Sequence, residues 1–127
     1  MFHIGHLNLI KNARRHCDYL IVGVNTDELI QEYKSKKPVI PLMERIQIIE
    51  ALKYVDEVIP VTTLDKEIIW QTVSPKYEIL FIGDDWRGNE RWVKTEERMK
   101  KYGVSVIYLP HTNGTTSTLL REKLMEI

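Results

Sequence analysis

The chain has 127 residues, of which 43% are hydrophobic, and its 18 Lys and Arg residues balance 18 Asp and Glu residues to a formal net charge of zero at pH 7. This length supplies one hydrophobic core and is too short for two, so we expect residues 1–127 to form a single domain. A chain without net charge has no overall field that would attract a nucleic-acid polymer or an anionic membrane, and we exclude both as partners.

The predicted elements alternate between helix and strand along the chain. Helices are predicted where apolar residues recur every three to four positions, and strands where short, nearly unbroken apolar runs are bounded by turn residues. In chain order they are a helix over Leu7–His16, a strand over Tyr19–Val24, a short helix near Glu28–Tyr33, a helix over Leu42–Leu52, a strand over Glu57–Val61, a helix over Lys66–Val73, a strand over Glu78–Ile82, a helix over Trp92–Tyr102, a strand over Ser105–Leu109 and a helix over Thr118–Met125.

Unbroken apolar strands that alternate with helices imply a parallel sheet covered on both faces. We therefore predict a Rossmann-like, doubly wound α/β domain with helices on both faces of the sheet. Ligands of such sheets bind outside the carboxyl ends of the strands. The polar loops that follow the predicted strands, Asn25–Asp27, Gly83–Glu90 and Pro110–Ser117, are the places where chemistry is expected.

The cellular location is predicted from cysteine usage and charge. Cys17 is the single cysteine and cannot form an internal disulfide, which fits a reducing compartment. Lys11, Arg14 and Arg15 interrupt the first hydrophobic segment, and the sequence contains neither a signal peptide nor an apolar run that could span a bilayer. We expect a soluble, cytoplasmic protein.

Two histidines, His3 and His6, stand three residues apart where the first helix begins, with Gly5 between them. Both imidazoles can face the helix N-terminus, a position that favours anions and suits phosphoryl or nucleotidyl transfer. Gly5 has no Cβ and would let a phosphate approach the backbone. The spacing by itself also fits a metal pair, a helix cap or ordinary surface residues.

The first histidine is preceded by only two residues, Met1 and Phe2, although a helix with a phosphate-binding N-terminus normally follows a strand. We expect the first, innermost strand to be missing from this sequence. The domain is then N-terminally incomplete, and the biological chain is expected to begin upstream of Met1.

Five stretches carry the most specific signals in the sequence. They are HIGH at 3–6, CDYLIVGVNTDE at 17–28, ERIQIIEALKYVDEVIP at 44–60, GDDWRG at 83–88 and LPHTNGTTST at 109–118. Together and in this order they resemble the small cytidylyltransferases of the HxGH nucleotidyltransferase superfamily, most of all the glycerol-3-phosphate cytidylyltransferases. The resemblance implies transfer of CMP from CTP to a small phosphorylated alcohol such as glycerol 3-phosphate, in a Rossmann-like homodimer that needs Mg²⁺ with CTP.

The resemblance also implies which residues act. His3, His6 and Lys36 take the catalytic roles, with both histidines on the triphosphate. Lys34 accompanies Lys36 in a loop that closes on the phosphates. Further basic positions near the acceptor and the phosphates are Arg45 and Lys53. The remaining nucleotide- and substrate-binding positions are Gly5, Gly83, Asp84, Asp85, Trp86, His111, Thr112, Gly114, Thr116, Ser117 and Thr118.

The residues alone leave other roles open for several of these positions. The basic side chains fit solvated charges on a loop or helix face equally well. The adjacent carboxylates Asp84 and Asp85 suggest a metal site, but neighbouring side chains diverge, which favours a role beside the nucleotide. Trp86 is also typical of a packing residue, and the Thr116–Thr118 segment is typical of a helix N-cap as well as of a phosphate-binding turn.

His111 stands where the resembled family usually has arginine, and the segment Gly114–Thr118 reads GTTST in place of GISTT. Histidine, with an ordinary pKa of about 6.5, is largely neutral at pH 7, whereas arginine is always charged. We therefore expect a weaker or pH-dependent grip on the triphosphate.

Two other functions remain open from the sequence. The first is an adenylyltransferase of the same superfamily; a fragment of an aminoacyl-tRNA synthetase, which shares the HIGH signature, is disfavoured by the short chain. The second is a non-catalytic nucleotide-binding relative. Pyrophosphate release with CTP separates a cytidylyltransferase from both.

Overall fold

A computed structural model of the protein describes residues 4–34 and 40–110. Its elements, in chain order, are α1 (Ile4–Arg14), β1 (Ile21–Asn25), α2 (Asp27–Lys34), α3 (Leu42–Glu50), β2 (Glu57–Val61), α4 (Lys66–Thr72), β3 (Ile79–Gly83), a 3₁₀ turn (Asp84–Trp86), α5 (Glu90–Lys100) and β4 (Ser105–Leu109). The helix predicted over Thr118–Met125 lies outside the described residues. Within these two described ranges, no helix has the length and apolar character needed to cross a membrane.

The order and type of the predicted elements are confirmed throughout the described ranges, with β2 and β4 at the predicted bounds. The predicted start of the first helix at Leu7 was wrong. The helix already includes Ile4, the first described residue, and the apolar stripe did not indicate this because it starts only after the first turn. The predicted start of the helix at Trp92 was also late. Asn89 caps this helix by accepting a hydrogen bond from Arg91 N at 3.0 Å, so the helix begins at Glu90.

Every strand pairing in the described part of the chain is parallel. Strands β1 and β2 run in register from Ile21 opposite Glu57 to Asn25 opposite Val61. Strands β3 and β4 form a second pair, which ends with Gly83 opposite Leu109. No ladder among the described residues joins the two pairs, so these four strands form two short parallel sheets where the sequence predicted one.

Helix α1 contributes to a core that receives side chains from both strand pairs. Ala13 of this helix, Leu20 and Leu109 are buried together. Val22 from β1 and Phe81 from β3 pack against this cluster. The hydrophobic contact therefore connects sheets that share no backbone hydrogen bonds in the described ranges.

Asp56 stabilises the end of the β1–β2 pair at which both strands begin. Its carboxylate accepts a hydrogen bond from Leu20 N at 2.8 Å and pairs with the Arg14 guanidinium. The Asp56 backbone N–H donates to Leu20 O at 3.0 Å. The Leu20 hydrogen bond, together with Arg14, holds the pKa of the Asp56 carboxyl below its usual value.

Candidate functional site

The carboxyl ends of β1 and β2 are joined at Thr26. Its N–H donates to Val61 O at 2.9 Å, and its side-chain Oγ1 accepts a hydrogen bond from Leu29 N at 3.2 Å. Thr26 is buried, with 8% of its surface exposed. The end of the strand pair and the start of α2 therefore form one hydrogen-bonded corner, which places the polar residues after β1 at the edge where parallel sheets bind ligands.

We infer that the N-terminus of α1 lies toward this same edge. The 11 residues of α1 span about 16 Å and the five residues of β1 about 17 Å, and residues 15–20 connect them. The C-terminal part of α1 packs on the core through Ala13, and a helix that runs antiparallel to the following strand has its first turn near the level where that strand ends. That turn holds Gly5 and the exposed His6 and contains no acidic residue, so its partial positive charge is not neutralised from within the turn.

The guanidinium of Arg45, on α3, donates three hydrogen bonds to other groups of the protein. Its Nη1 donates to Asn25 O at 2.7 Å, its Nη2 to Asp27 Oδ1 at 2.6 Å, and its Nε to Ile40 O at 2.9 Å. Asp27 also accepts a 3.4 Å hydrogen bond from Leu42 N. The Arg45 side chain is 17% exposed. Arg45 thus fixes the end of β1, the start of α2 and Ile40, two residues before α3, relative to one another.

Lys34 ends α2 on the exposed surface, with its ammonium 5.6 Å from the centroid of the Tyr33 ring. The Tyr33 hydroxyl accepts a hydrogen bond from Asn25 Nδ2 at 3.1 Å. Lys34 is therefore connected, through Tyr33, to the carboxyl end of β1.

In the loop after β3, the Asp85 carboxylate lies directly over Gly83. Gly83 is buried, and a Cβ at this position would lie 2.6 Å from Asp85 Oδ1, so the Asp85 side chain would have to move from its present place. Asp84 and Asp85 then enter the 3₁₀ turn with Trp86, whose side chain is 39% exposed. The Asp85 carboxylate and the Trp86 ring thus lie beside the carboxyl end of β3.

The structure does not bring every predicted site residue to this edge. Lys53 lies between α3 and the start of β2, with its ammonium 5.2 Å from the centroid of Tyr54, whose ring also lies 5.9 Å from Lys11. This is the end at which β1 and β2 begin, opposite the candidate site. The positions outside the described residues are His3, Lys36, His111, Thr112, Gly114, Thr116, Ser117 and Thr118.

A family model described as cytidylyltransferase-like matches residues 1–123. The chain belongs to this family. The resemblance inferred from the sequence motifs is thereby confirmed at the level of the cytidylyltransferase family.

This cytidylyltransferase-like chain is similar in sequence or structure to three known proteins with different functions. It is 32% identical over 124 residues to a glycerol-3-phosphate cytidylyltransferase of Bacillus subtilis, covering 98% of this chain and 89% of that protein. It is 32% identical to an FAD synthase of Thermococcus kodakarensis over 87% of this chain and 74% of that protein. Among solved structures, a lipopolysaccharide core biosynthesis protein of Thermoplasma volcanium superposes with a TM-score of 0.68 at 25% identity, covering 88% of each chain. The α/β fold is therefore Rossmann-like, as predicted.

Two features of the cytidylyltransferase-like domain escaped the sequence analysis. Asp27 lies in a loop where chemistry was expected, but nothing in its local sequence shows that it pairs with Arg45, 18 residues later. Lys66 was not singled out, because a lysine in a first helical turn is typical of a solvated charge. In the structure, burial lowers the pKa of Lys66, and the nearby Arg91 charge lowers it further.

Proposed function

We propose that this cytidylyltransferase transfers CMP from CTP to a small phosphorylated alcohol, with glycerol 3-phosphate as the first candidate, and releases pyrophosphate. The observation that carries the proposal is the extent of the similarity. The Bacillus glycerol-3-phosphate cytidylyltransferase aligns over 98% of this chain and 89% of its own length. The similarity therefore covers nearly the whole of both proteins and is not confined to a shared motif.

The proposed reaction is an in-line displacement at the α-phosphorus of CTP. An oxygen of the acceptor phosphate forms a bond to this phosphorus, and the bond to the bridging oxygen of pyrophosphate breaks with its electron pair leaving on pyrophosphate. His6, on the first turn of α1, would stabilise the charge that develops on the phosphoryl oxygens, together with His3. The exposed N-terminus of α1 adds its dipole to the same interaction.

The loop after β3 is proposed to hold the cytidine end of CTP. Its support is the juxtaposition of the Asp85 carboxylate and the half-exposed Trp86 ring, which offer a hydrogen-bond acceptor and a stacking surface. The further phosphate contacts proposed from the family resemblance are Lys34, Lys36, His111, Thr112, Gly114, Thr116, Ser117 and Thr118. Arg45 is proposed to act indirectly, by fixing the segment that ends at Lys34.

Mg²⁺ is proposed to enter as part of the MgCTP substrate. Among residues 4–34 and 40–110, no group of three or more His, Cys, Asp or Glu side chains is placed to hold a metal ion. Mg²⁺ in nucleotide enzymes usually keeps several waters and binds substrate phosphates with one or two carboxylates, a role that Asp85 could take. When bound, the ion neutralises phosphate charge.

A homodimer is proposed through the region of α3. Met43 and Ile48 on this helix are 65% and 40% exposed, which leaves apolar surface available for a second copy. The mass in solution, measured by light scattering, tests this point independently of activity.

The test of the proposed function is pyrophosphate release from CTP with a panel of phosphorylated alcohols that includes glycerol 3-phosphate. We expect release that requires both CTP and the acceptor, with the CDP-alcohol identified by mass spectrometry. No release with CTP and any member of the panel would contradict the proposal.

The similarity to an FAD synthase favours one second candidate, an adenylyltransferase that uses ATP. FAD contains an adenylyl half, so this reading predicts pyrophosphate release from ATP with FMN as acceptor. Running the same assay with ATP and FMN discriminates the two, because the first proposal expects the higher kcat/KM with CTP.

A further inference from the structure

The loop after β3 is attached to the neighbouring strand β4 by a cation–π contact. The Arg87 guanidinium lies over the Tyr108 ring, with its Cζ 4.9 Å from the ring centroid. Tyr108 stands opposite Ile82 in the parallel register of β3 and β4, one residue before the end of both strands. Arg87 is exposed in the loop, and its side chain therefore returns to the sheet edge from which that loop starts.

The Tyr108 ring is itself fixed to α5. Its hydroxyl donates a hydrogen bond to Glu96 Oε2 on that helix at 3.3 Å. The ring thus has a guanidinium over its face and a carboxylate at its hydroxyl. A cation is attracted to an aromatic face by the ring quadrupole, and a partly buried, hydrogen-bonded ring gives Arg87 a partner of defined position.

Backbone hydrogen bonds connect Arg87 to the residues proposed to hold the cytidine end of CTP. Arg87 N donates to Asp84 O at 3.1 Å, which closes the 3₁₀ turn, and Asn89 N donates to Trp86 O at 3.1 Å. A displacement of Arg87 would therefore move the whole turn relative to β3 and β4.

The Trp86 ring has a separate contact with the start of α5. The Arg91 guanidinium lies over this ring, 5.5 Å from its centroid, and Arg91 N donates to Asn89 Oδ1 at 3.0 Å in the helix cap. Because Trp86 is still 39% exposed, part of its surface remains open to a ligand. Arg91 thus contacts the ring, while Arg87 connects the turn that carries this ring to the sheet.

We propose that Arg87 is a positioning residue for the nucleotide, which holds the turn Asp84–Trp86 in place through its contact with Tyr108. This assignment rests on the proposed function, in which that turn receives the cytidine end of CTP. A loop without an anchor loses conformational entropy when a ligand orders it, and this loss weakens binding. Arg87 acts by reducing that loss and does not itself touch the nucleotide.

Steady-state kinetics with Arg87→Met, which removes the charge and keeps an unbranched side chain, test this role. The KM for CTP should rise roughly two- to fivefold, the factor that corresponds to an exposed cation–π contact. The kcat should stay within about twofold of the wild type, because the anchor favours the bound ground state and the transition state equally. Arg87→Lys keeps a cation over the ring and should recover part of the affinity. Arg98→Met, exposed in the last turn of α5, is the matched control.

A double-mutant cycle tests whether Tyr108 is the partner through which Arg87 acts. Tyr108→Leu should also raise the KM for CTP, and the addition of Arg87→Met should then cause no further rise, because the contact is already absent. Effects of the two substitutions that multiply would overturn the proposal, since Arg87 would then act without Tyr108. An unchanged KM for CTP in Arg87→Met would overturn it as well.

Amide hydrogen exchange without nucleotide separates this proposal from the proposed function. The protection factors of the amides at position 87 and at Asn89, which bond to Asp84 O and Trp86 O, should fall roughly two- to fivefold in Arg87→Met, while those of β3 stay unchanged. If the wild type is inactive with CTP and glycerol 3-phosphate but this difference is present, the loop anchor stands while the proposed reaction fails. Equal protection in Arg87→Met and Arg98→Met would refute the anchor whatever the activity.

Discussion

The Asp56 carboxyl makes the stability of the folded chain depend on pH in the acid range. Hydrogen bonding from Leu20 N and from Arg14 lowers the pKa of its carboxyl in the folded state. A lowered folded pKa means that the stabilisation is complete above the unfolded value of about 3.9 and is lost as the pH falls toward the folded value.

The substitution Asp56→Asn should therefore lower the Tm at pH 7 and bring it progressively closer to that of the wild type as the pH falls below about 4. Thermal unfolding followed by circular dichroism over this pH range measures the difference. Asp18→Asn, which removes a nearby exposed carboxylate, is the control. A Tm difference that stays constant down to acid pH would show that the Asp56 interactions do not depend on its charge.

At the level of elements, Arg45 connects three segments that the sequence separates. Its three hydrogen bonds join β1, α2 and Ile40, two residues before α3. Arg45→Ala should leave the Asn25 and Ile40 carbonyls and the Asp27 carboxylate without this donor, and lower the free energy of unfolding by about 2–3 kcal/mol. Urea denaturation provides the measurement.

Arg45→Lys is the informative comparison. A single ammonium cannot reproduce three divergent N–H directions, so most of the loss should persist. A stable Arg45→Ala protein whose affinity for CTP or for the acceptor collapses would instead indicate direct ligand contact, as the family resemblance implies.

The helices and strands were predictable where a short stretch of sequence contains the whole hydrophobic pattern. The apolar runs of β2 and β4 lie between turn residues, and both strands have the predicted bounds. Helix starts were less predictable, since Ile4–His6 and Glu90 join their helices through backbone hydrogen bonds and capping, which the apolar stripe does not report.

The site was predictable only in part, for a related physical reason. The places of His6 in α1 and of Gly83–Trp86 after β3 were predictable, because their motifs are contiguous and lie at the ends of predicted elements. The partnership of Arg45 with Asp27 and the burial of Lys66 against Trp92 arise from tertiary packing, and no local spacing encodes them.

At the scale of the whole molecule, α1 is the element that links the two strand pairs, and its N-terminus is also part of the proposed phosphate site. Ligand binding at that end should therefore stabilise the entire described fold. CTP should raise the Tm more than ATP at equal concentration, because a ligand stabilises a protein according to its affinity for the native state. At a hundred times its Kd, the gain is about 2.7 kcal/mol.

Differential scanning fluorimetry with MgCTP and MgATP makes this comparison. Equal or greater protection by ATP would favour the adenylyltransferase alternative. MgGTP is the control, because binding that depends only on the triphosphate would raise the Tm equally with GTP and CTP.

His6, in the first turn of α1, has the central role in the proposed reaction, and turnover with CTP and glycerol 3-phosphate is the most direct test of that role. The wild type should release pyrophosphate, and His6→Ala should reduce kcat roughly a hundred- to a thousandfold while the Kd for CTP changes much less, since the lost donor acts mainly in the transition state. His16→Ala, beyond the other end of α1, should retain wild-type turnover. Full turnover by a folded His6→Ala protein would contradict the account.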